Sequence, residues 1–245
     1  MAENRMVTRL MKVKQLLYGM MYGLLIFFTV SCSEENSENL PNNVAIYQSY
    51  LVAFSDSQPT LAYARFSPEK DVPLKEIKLT GGASIMANGK EMEYHYFDGN
   101  TIFGYSYSLS LGKDEQVSFV FQCKRQQETR MLTNYAYKEW INEIHIPSEL
   151  TTITNQEVVG WKGEKIASNE ELEATLDNPS HLEEYTAYYG TLNESRDGVS
   201  FKNVPKGKYM LTLKRILKLE TKDNDAPAKG EIRLVFYDKK EVMVK

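Results

Sequence analysis

Apolar and polar residues alternate with a period of two along most of the chain from Val44 onward. Val117, Phe119, Phe121 and Cys123 alternate with Ser118, Val120 and Gln122, and Phe103, Tyr105, Tyr107, Leu109 and Leu111 alternate with Gly104, Ser106, Ser108 and Ser110. Successive side chains of a strand point to opposite faces of its sheet, so each run predicts a strand with one buried face. Tyr209, Leu211, Leu213, Leu217 and Leu219 share one parity, as do Ile232, Leu234 and Phe236. Asn88-Gly89 lies between Ala83–Ala87 and Lys90–Tyr94 and predicts a hairpin, because both central residues of a type I′ turn need positive φ.

Turn residues recur at intervals that leave room for short strands: Gln58-Pro59, Gly81-Gly82, Asp98-Gly99-Asn100, Gly112-Lys113-Asp114, Asp197-Gly198 and Pro205-Lys206-Gly207. Leu172, Ala174 and Leu176 alternate and predict a further strand, while Ser180–Tyr185 is expected to form a single helical turn. The expected fold is all-β, with two tandem immunoglobulin-like β-sandwich domains over 44–140 and 141–245. Pro147, after Ile144-His145-Ile146, is expected to interrupt pairing between them.

The first residues follow a different rule. Arg5, Arg9, Lys12 and Lys14 precede an apolar run, Leu16 to Val30, and then Ser31-Cys32, the layout of a cleaved signal peptide over residues 1–31. The run is shorter than the ~20 apolar residues a membrane-crossing helix needs. Met11 begins a more compact signal of the same kind. Thr29-Val30-Ser31-Cys32 resembles the lipobox of bacterial lipoproteins, with threonine where leucine is commonest. That resemblance implies lipidation of Cys32, and several acyl chains at about 0.8 kcal/mol per buried methylene would anchor the protein durably. Residues 33–43 hold three glutamates and no aromatic, so 32–43 reads as a lipidated cysteine on an acidic tether. Glu34, Glu35 and Glu38 resemble the acidic surface-export signal of Bacteroidota lipoproteins, which implies an outer-membrane protein facing the cell exterior.

Charge narrows the partners. Removing 1–31, with four basic residues against Glu3, takes the net charge from -4 to -7, so neither nucleic acid nor anionic lipid is an expected electrostatic partner. No nucleophile elbow, His-Glu-x-x-His, phosphate-binding glycine loop, dinucleotide fingerprint or Cys-x-x-Cys occurs. His95, His145 and His181 lack the close spacing of a local metal site, and His95 with Glu91 and Glu93 reads as a solvated polar face. Cys123 falls on core parity and reads as a small hydrophobe. Glu183-Glu184 and Asp223-Asn224-Asp225 are weak grounds for glycoside hydrolysis or Ca²⁺ binding, since adjacent carboxylates point apart and Asp-Asn-Asp before Ala-Pro makes an ordinary turn. No catalytic residue, metal or cofactor is expected.

Tyrosine is abundant, with clusters at Tyr94, Tyr96, Tyr105 and Tyr107, at Tyr135, Tyr137 and Trp140, and at Tyr185, Tyr188 and Tyr189. Most follow core parity, which leaves Trp161, Tyr188 and Tyr189 as the expected ligand-contact aromatics. Leu79–Ile85 with Asn88-Gly89, and Trp161–Glu164 with Phe201–Gly207, resemble turn motifs of two-domain immunoglobulin-like lipoproteins from Bacteroidota, a family without an assigned activity. The combined expectation is a lipid-anchored, non-enzymatic surface module that binds an extracellular glycan or protein. A fimbrillin-like fibre subunit, with a detachable strand near Val242–Val244, is the alternative, and an exported glycosidase a remote one.

Overall fold

Residues that alternate in the sequence alternate in space. The computed structural model describes residues 33–41, 43–68, 75–95, 105–125, 128–178 and 187–245, so Cys32, His181, Glu183, Glu184 and the Ser180–Tyr185 segment lie outside it. Contacts divide the chain into Met1–Glu34 and Glu35–Lys245, and the second unit is the folded body. Besides two short strands, Ser33–Asn36 and Lys75–Lys78, the strands, in chain order, are β1 (Tyr47–Phe54), β2 (Leu61–Ser67), β3 (Ser84–Ala87), β4 (Lys90–Glu91), β5 (Glu93–Tyr94), β6 (Tyr107–Ser110), β7 (Gln116–Arg125) and β8 (Glu128–Tyr137). They continue with β9 (Thr152–Ile153), β10 (Val158–Gly160), β11 (Glu170–Asp177), β12 (Ala187–Tyr189), β13 (Thr191–Leu192), β14 (Gly198–Ser200), β15 (Gly207–Glu220) and β16 (Gly230–Val244). The described residues contain no α-helix, only the 3₁₀ turns Ser37–Asn39 and Lys138–Trp140. The protein is an all-β sandwich.

One nine-stranded sheet forms a layer of its own, in the order β12-β11-β15-β16-β1-β2-β6-β5 with β9 added beside β16. A four-stranded sheet, β8-β7-β3-β4, and a three-stranded sheet, β10-β14-β13, complete the sandwich. The Tyr50 ring of β1 stacks on Phe119 of β7 at 4.4 Å, and Phe66 of β2 packs on Phe121 at 4.5 Å, which seats the four-stranded sheet over β1 and β2. Such aromatic pairs contribute about 0.5–1.5 kcal/mol beyond the apolar area they bury. Val159 and Val199, paired across β10 and β14, enter the same apolar cluster from the three-stranded sheet. Asn88 and Gly89 both have positive φ, 50° and 74°, and close the hairpin between β3 and β4 in the register Met86 to Glu91.

The expected division into 44–140 and 141–245 is not what this sheet shows. β16 lies between β15 and β1, pairing antiparallel with the first and parallel with the second, so strands from both sides of residue 140 share one hydrogen-bonded layer. Gly230 fits there because a Cβ would come within 2.7 Å of the Gln48 carbonyl. Ile141, Ile144 and Ile146, at the expected boundary, are buried in the common core, and Ile146 N–H donates to Asp238 Oδ2 at 2.8 Å. The 33–43 tether also needs correcting. Leu40 is buried in the core, and Ser37 Oγ donates to the Thr80 carbonyl while accepting from Thr80 N–H at 2.8 Å. Leu40 and the Ser37 hydroxyl thus help to hold a segment whose overall composition is that of a linker.

One inward position is charged. Arg215 stands between Leu213 and Leu217 on the buried parity of β15 and is fully buried. Its guanidinium donates to the Glu164 and Lys165 carbonyls, both at 2.8 Å, and to Glu170 Oε2 at 2.5 Å. Glu170 Oε2 also accepts from Ala167 N–H, so this pair fixes the 164–170 segment over β15. A buried ion pair needs hydrogen bonds of this kind, because each desolvated charge otherwise costs several kcal/mol.

Candidate functional site

The structure does not gather the three expected aromatics on one surface. Tyr188 and Tyr189 are successive residues of β12 and therefore face opposite sides. The Tyr188 ring packs edge-on against Tyr209 at 5.9 Å, whereas Tyr189 is 71% exposed. Trp161 rests half-buried on the core and donates its indole N–H to the Glu164 carbonyl at 3.2 Å.

Exposed aromatic surface is instead concentrated at the end of β8. This strand is the edge of the four-stranded sheet; Leu132, Asn134 and Ala136 face inward, so Met131, Thr133, Tyr135 and Tyr137 face out. Met131 is 58% exposed, Tyr135 45% and Trp140 37%. The Tyr135 and Tyr137 rings lie 6.3 Å apart at 27°, and Tyr137 meets Trp140 at 4.6 Å. The 3₁₀ turn Lys138–Trp140 produces this row: it reverses the chain just after the last strand residue and brings the indole back against Tyr137. Parity along β8 was the signal in the sequence. Tyr135 and Tyr137 alternate with Asn134 and Ala136, which are both buried.

Beside the row lies a cleft of about 610 Å³, lined by Glu115, Gln116, Tyr137, Lys138, Glu139, Ile141, Asn142 and Glu143. An apolar floor at Ile141, an aromatic wall at Tyr137 and a rim of carboxylates and carboxamides give it both stacking and hydrogen-bonding capacity. Lys138 N–H donates to the Glu115 carbonyl at 2.7 Å and ties the turn to the start of β7.

Lys138 and Glu143 of the cleft lining belong to a compact ionic cluster. The Lys138 ammonium lies 2.8 Å from Glu143 Oε1 and 3.2 Å from Asp56 Oδ1. The His145 ring is 3.1 Å from Glu143 through Nε2 and packs edge-on against Phe236 at 5.5 Å. The hydrogen bond from Lys138 holds the Glu143 carboxyl below the usual carboxylate range, and the same bond raises Lys138. Asp56, Glu143 and His145 present ligand atoms within 4.8 Å of one another, but the ammonium already bonded to both carboxylates supplies their cation. A general acid for glycoside hydrolysis needs a raised carboxyl, so Glu143 is shifted in the wrong direction for that role.

Of the carboxylates singled out in the sequence, Asp223 and Asp225 are structural. Asp223 Oδ2 accepts from Thr133 N–H and Asp225 Oδ2 from Ile46 N–H, both at 2.8 Å. His95 hydrogen-bonds Ser108 at 2.9 Å, and Cys123 is buried with Val117, Phe119 and Phe121. No helix among the described residues is long and apolar enough to cross a membrane. A scan against protein-family models matches none, and a search of curated proteins finds no relative of this chain.

Proposed function

We propose that the protein is a lipid-anchored, non-enzymatic module of the outer membrane that holds an extracellular glycan against Tyr135, Tyr137 and Trp140. The observation that carries this reading is the exposed aromatic row beside a polar cleft, since aromatic faces stack on the apolar faces of sugar rings while carboxylates and carboxamides take the hydroxyls. The signal layout of residues 1–31, the lipobox-like Thr29–Cys32 and the acidic residues Glu34, Glu35 and Glu38 support the anchor and the exterior location. Against the fibre subunit stand two features. Val242 and Val244 are buried within the sheet between β15 and β9, and the free edge of β8 is capped at Thr133 by Asp223.

The test is retention on a panel of immobilised polysaccharides, comparing the full chain with Trp140→Ala and Tyr135→Ala. Both residues are exposed and each gives up one ring contact with Tyr137, so stability should change by no more than about 1.5 kcal/mol. At least one polysaccharide should retain the parent and lose both variants. Retention of the variants equal to the parent on every polysaccharide would count against this surface.

A further inference from the structure

We infer that the glycan held at this cleft carries protonated amino groups, an inference that rests on the glycan-binding reading and adds the ligand's charge to it. The cleft is lined by Glu115, Glu139 and Glu143 against one cation, Lys138. The charge of Lys138 is already committed, because its ammonium bonds Glu143 and Asp56. That leaves Glu115 and Glu139, both exposed, with no cationic partner among the described residues. Glu139 belongs to the turn that carries Trp140, and Glu115 immediately precedes β7, at the carbonyl that receives Lys138 N–H. Two carboxylates with no cationic partner among the described residues therefore line the cleft together with Tyr137.

The residues around Lys138 show what such a setting accepts. This ammonium sits between two carboxylates and 5.4 Å from the centre of the Phe236 ring, so attraction to an aromatic face adds to the ion pairs. Glu115 and Glu139, both exposed, add further carboxylates to the lining of the same cleft, and Tyr137 adds a ring. A cationic amine on a sugar can fill that arrangement. A uronate or sulfate cannot, because its charge would face the carboxylates of Glu115 and Glu139 across a cleft whose single ammonium is occupied. A neutral sugar would stack and hydrogen-bond those carboxylates through its hydroxyls, but without the charge attraction.

The experiment is calorimetric titration of the full chain in detergent with three hexasaccharides, glucosamine, N-acetylglucosamine and galacturonate, and with hexalysine as a basic peptide. The glucosamine hexamer should bind about tenfold more tightly than its N-acetylated form, and 1 M salt, where the Debye length is about 3 Å, should remove that preference. The galacturonate hexamer should not bind. Glu115→Gln with Glu139→Gln should bring the two glucosamine forms level. Equal or tighter binding of the N-acetylated form overturns the inference but leaves glycan binding standing, as does a preference that survives the double substitution. Tighter binding of hexalysine than of the glucosamine hexamer overturns it in favour of a protein ligand. Absence of binding by every saccharide overturns the glycan reading and this inference together.

Discussion

Asn134 and Asp223 clasp each other across 89 positions: Asn134 Nδ2 donates to the Asp223 carbonyl at 2.8 Å, and Asp223 N–H donates to Asn134 Oδ1 at 3.1 Å. Lys222 N–H reaches the same oxygen at 2.9 Å, and Asp223 Oδ2 caps Thr133 N–H. The turn after β15 is thereby fastened along the outer edge of β8.

Asn134→Ala should cost about 1–3 kcal/mol, because it strands two backbone N–H groups and a carbonyl at a buried site. Urea denaturation monitored by fluorescence measures this. The chain has two tryptophans, Trp140 and Trp161, one on each side of the boundary expected from sequence. Single-tryptophan variants of the parent should report coincident transitions, as one cooperative unit requires; separate midpoints would restore two independent domains.

Arg215→Met should destabilise by about 3–5 kcal/mol, since it leaves the Glu170 carboxylate buried without its partner and releases the Glu164 and Lys165 carbonyls. Adding Glu170→Gln to that variant should recover part of the loss by removing the stranded charge. A double variant no more stable than Arg215→Met alone would mean that the carbonyl contacts, and not the ion pair, dominate. Differential scanning calorimetry distinguishes the two.

The Glu143 carboxyl is held low by Lys138, so it titrates below its unfolded value. A group depressed on folding adds stability that is present above the unfolded pKa, about 4.3 for glutamate, and lost as pH falls through the folded value. Both partners are partly open to solvent, which keeps the contribution below about 1 kcal/mol. Stability curves of the parent and of Glu143→Gln should therefore differ at neutral pH and converge in acid. A gap that stays constant as pH falls would mean that the carboxylate is not coupled to folding.

Cys32→Ala should release the protein from membrane pellets in detergent-free buffer, because several acyl chains on that residue are the proposed anchor. Unchanged pelleting of the variant would contradict it. Mass spectrometry of the native protein gives the complementary check on acylation.

Period-two alternation made the strands legible because it reports directly which face is buried: Val117, Phe119, Phe121 and Cys123 all lie in the core. It carries no information on which strand lies beside which, so the parallel pairing of Val52 with Leu234 was invisible to it. Arg215 hid for a related reason, since an arginine on an inward parity reads as a break in the apolar pattern until Glu170 and two carbonyls are brought to it. At the candidate site, the outward parity of Tyr135 was readable. The return of Trp140 onto Tyr137 was not, because it depends on a three-residue turn that no hydrophobic period encodes.

The placement of β16 also sets a schedule for synthesis. Gln48 pairs with Gly230, and the strands that make up the middle of the large sheet cannot all be present until the ribosome has passed Val244. Early strands must wait, unpaired on that side, for nearly the entire polypeptide to emerge. If residues 1–31 act as the proposed secretion leader, that delay would work in favour of transport: a translocation pore needs a thread, and this topology postpones its own knitting until the thread is through.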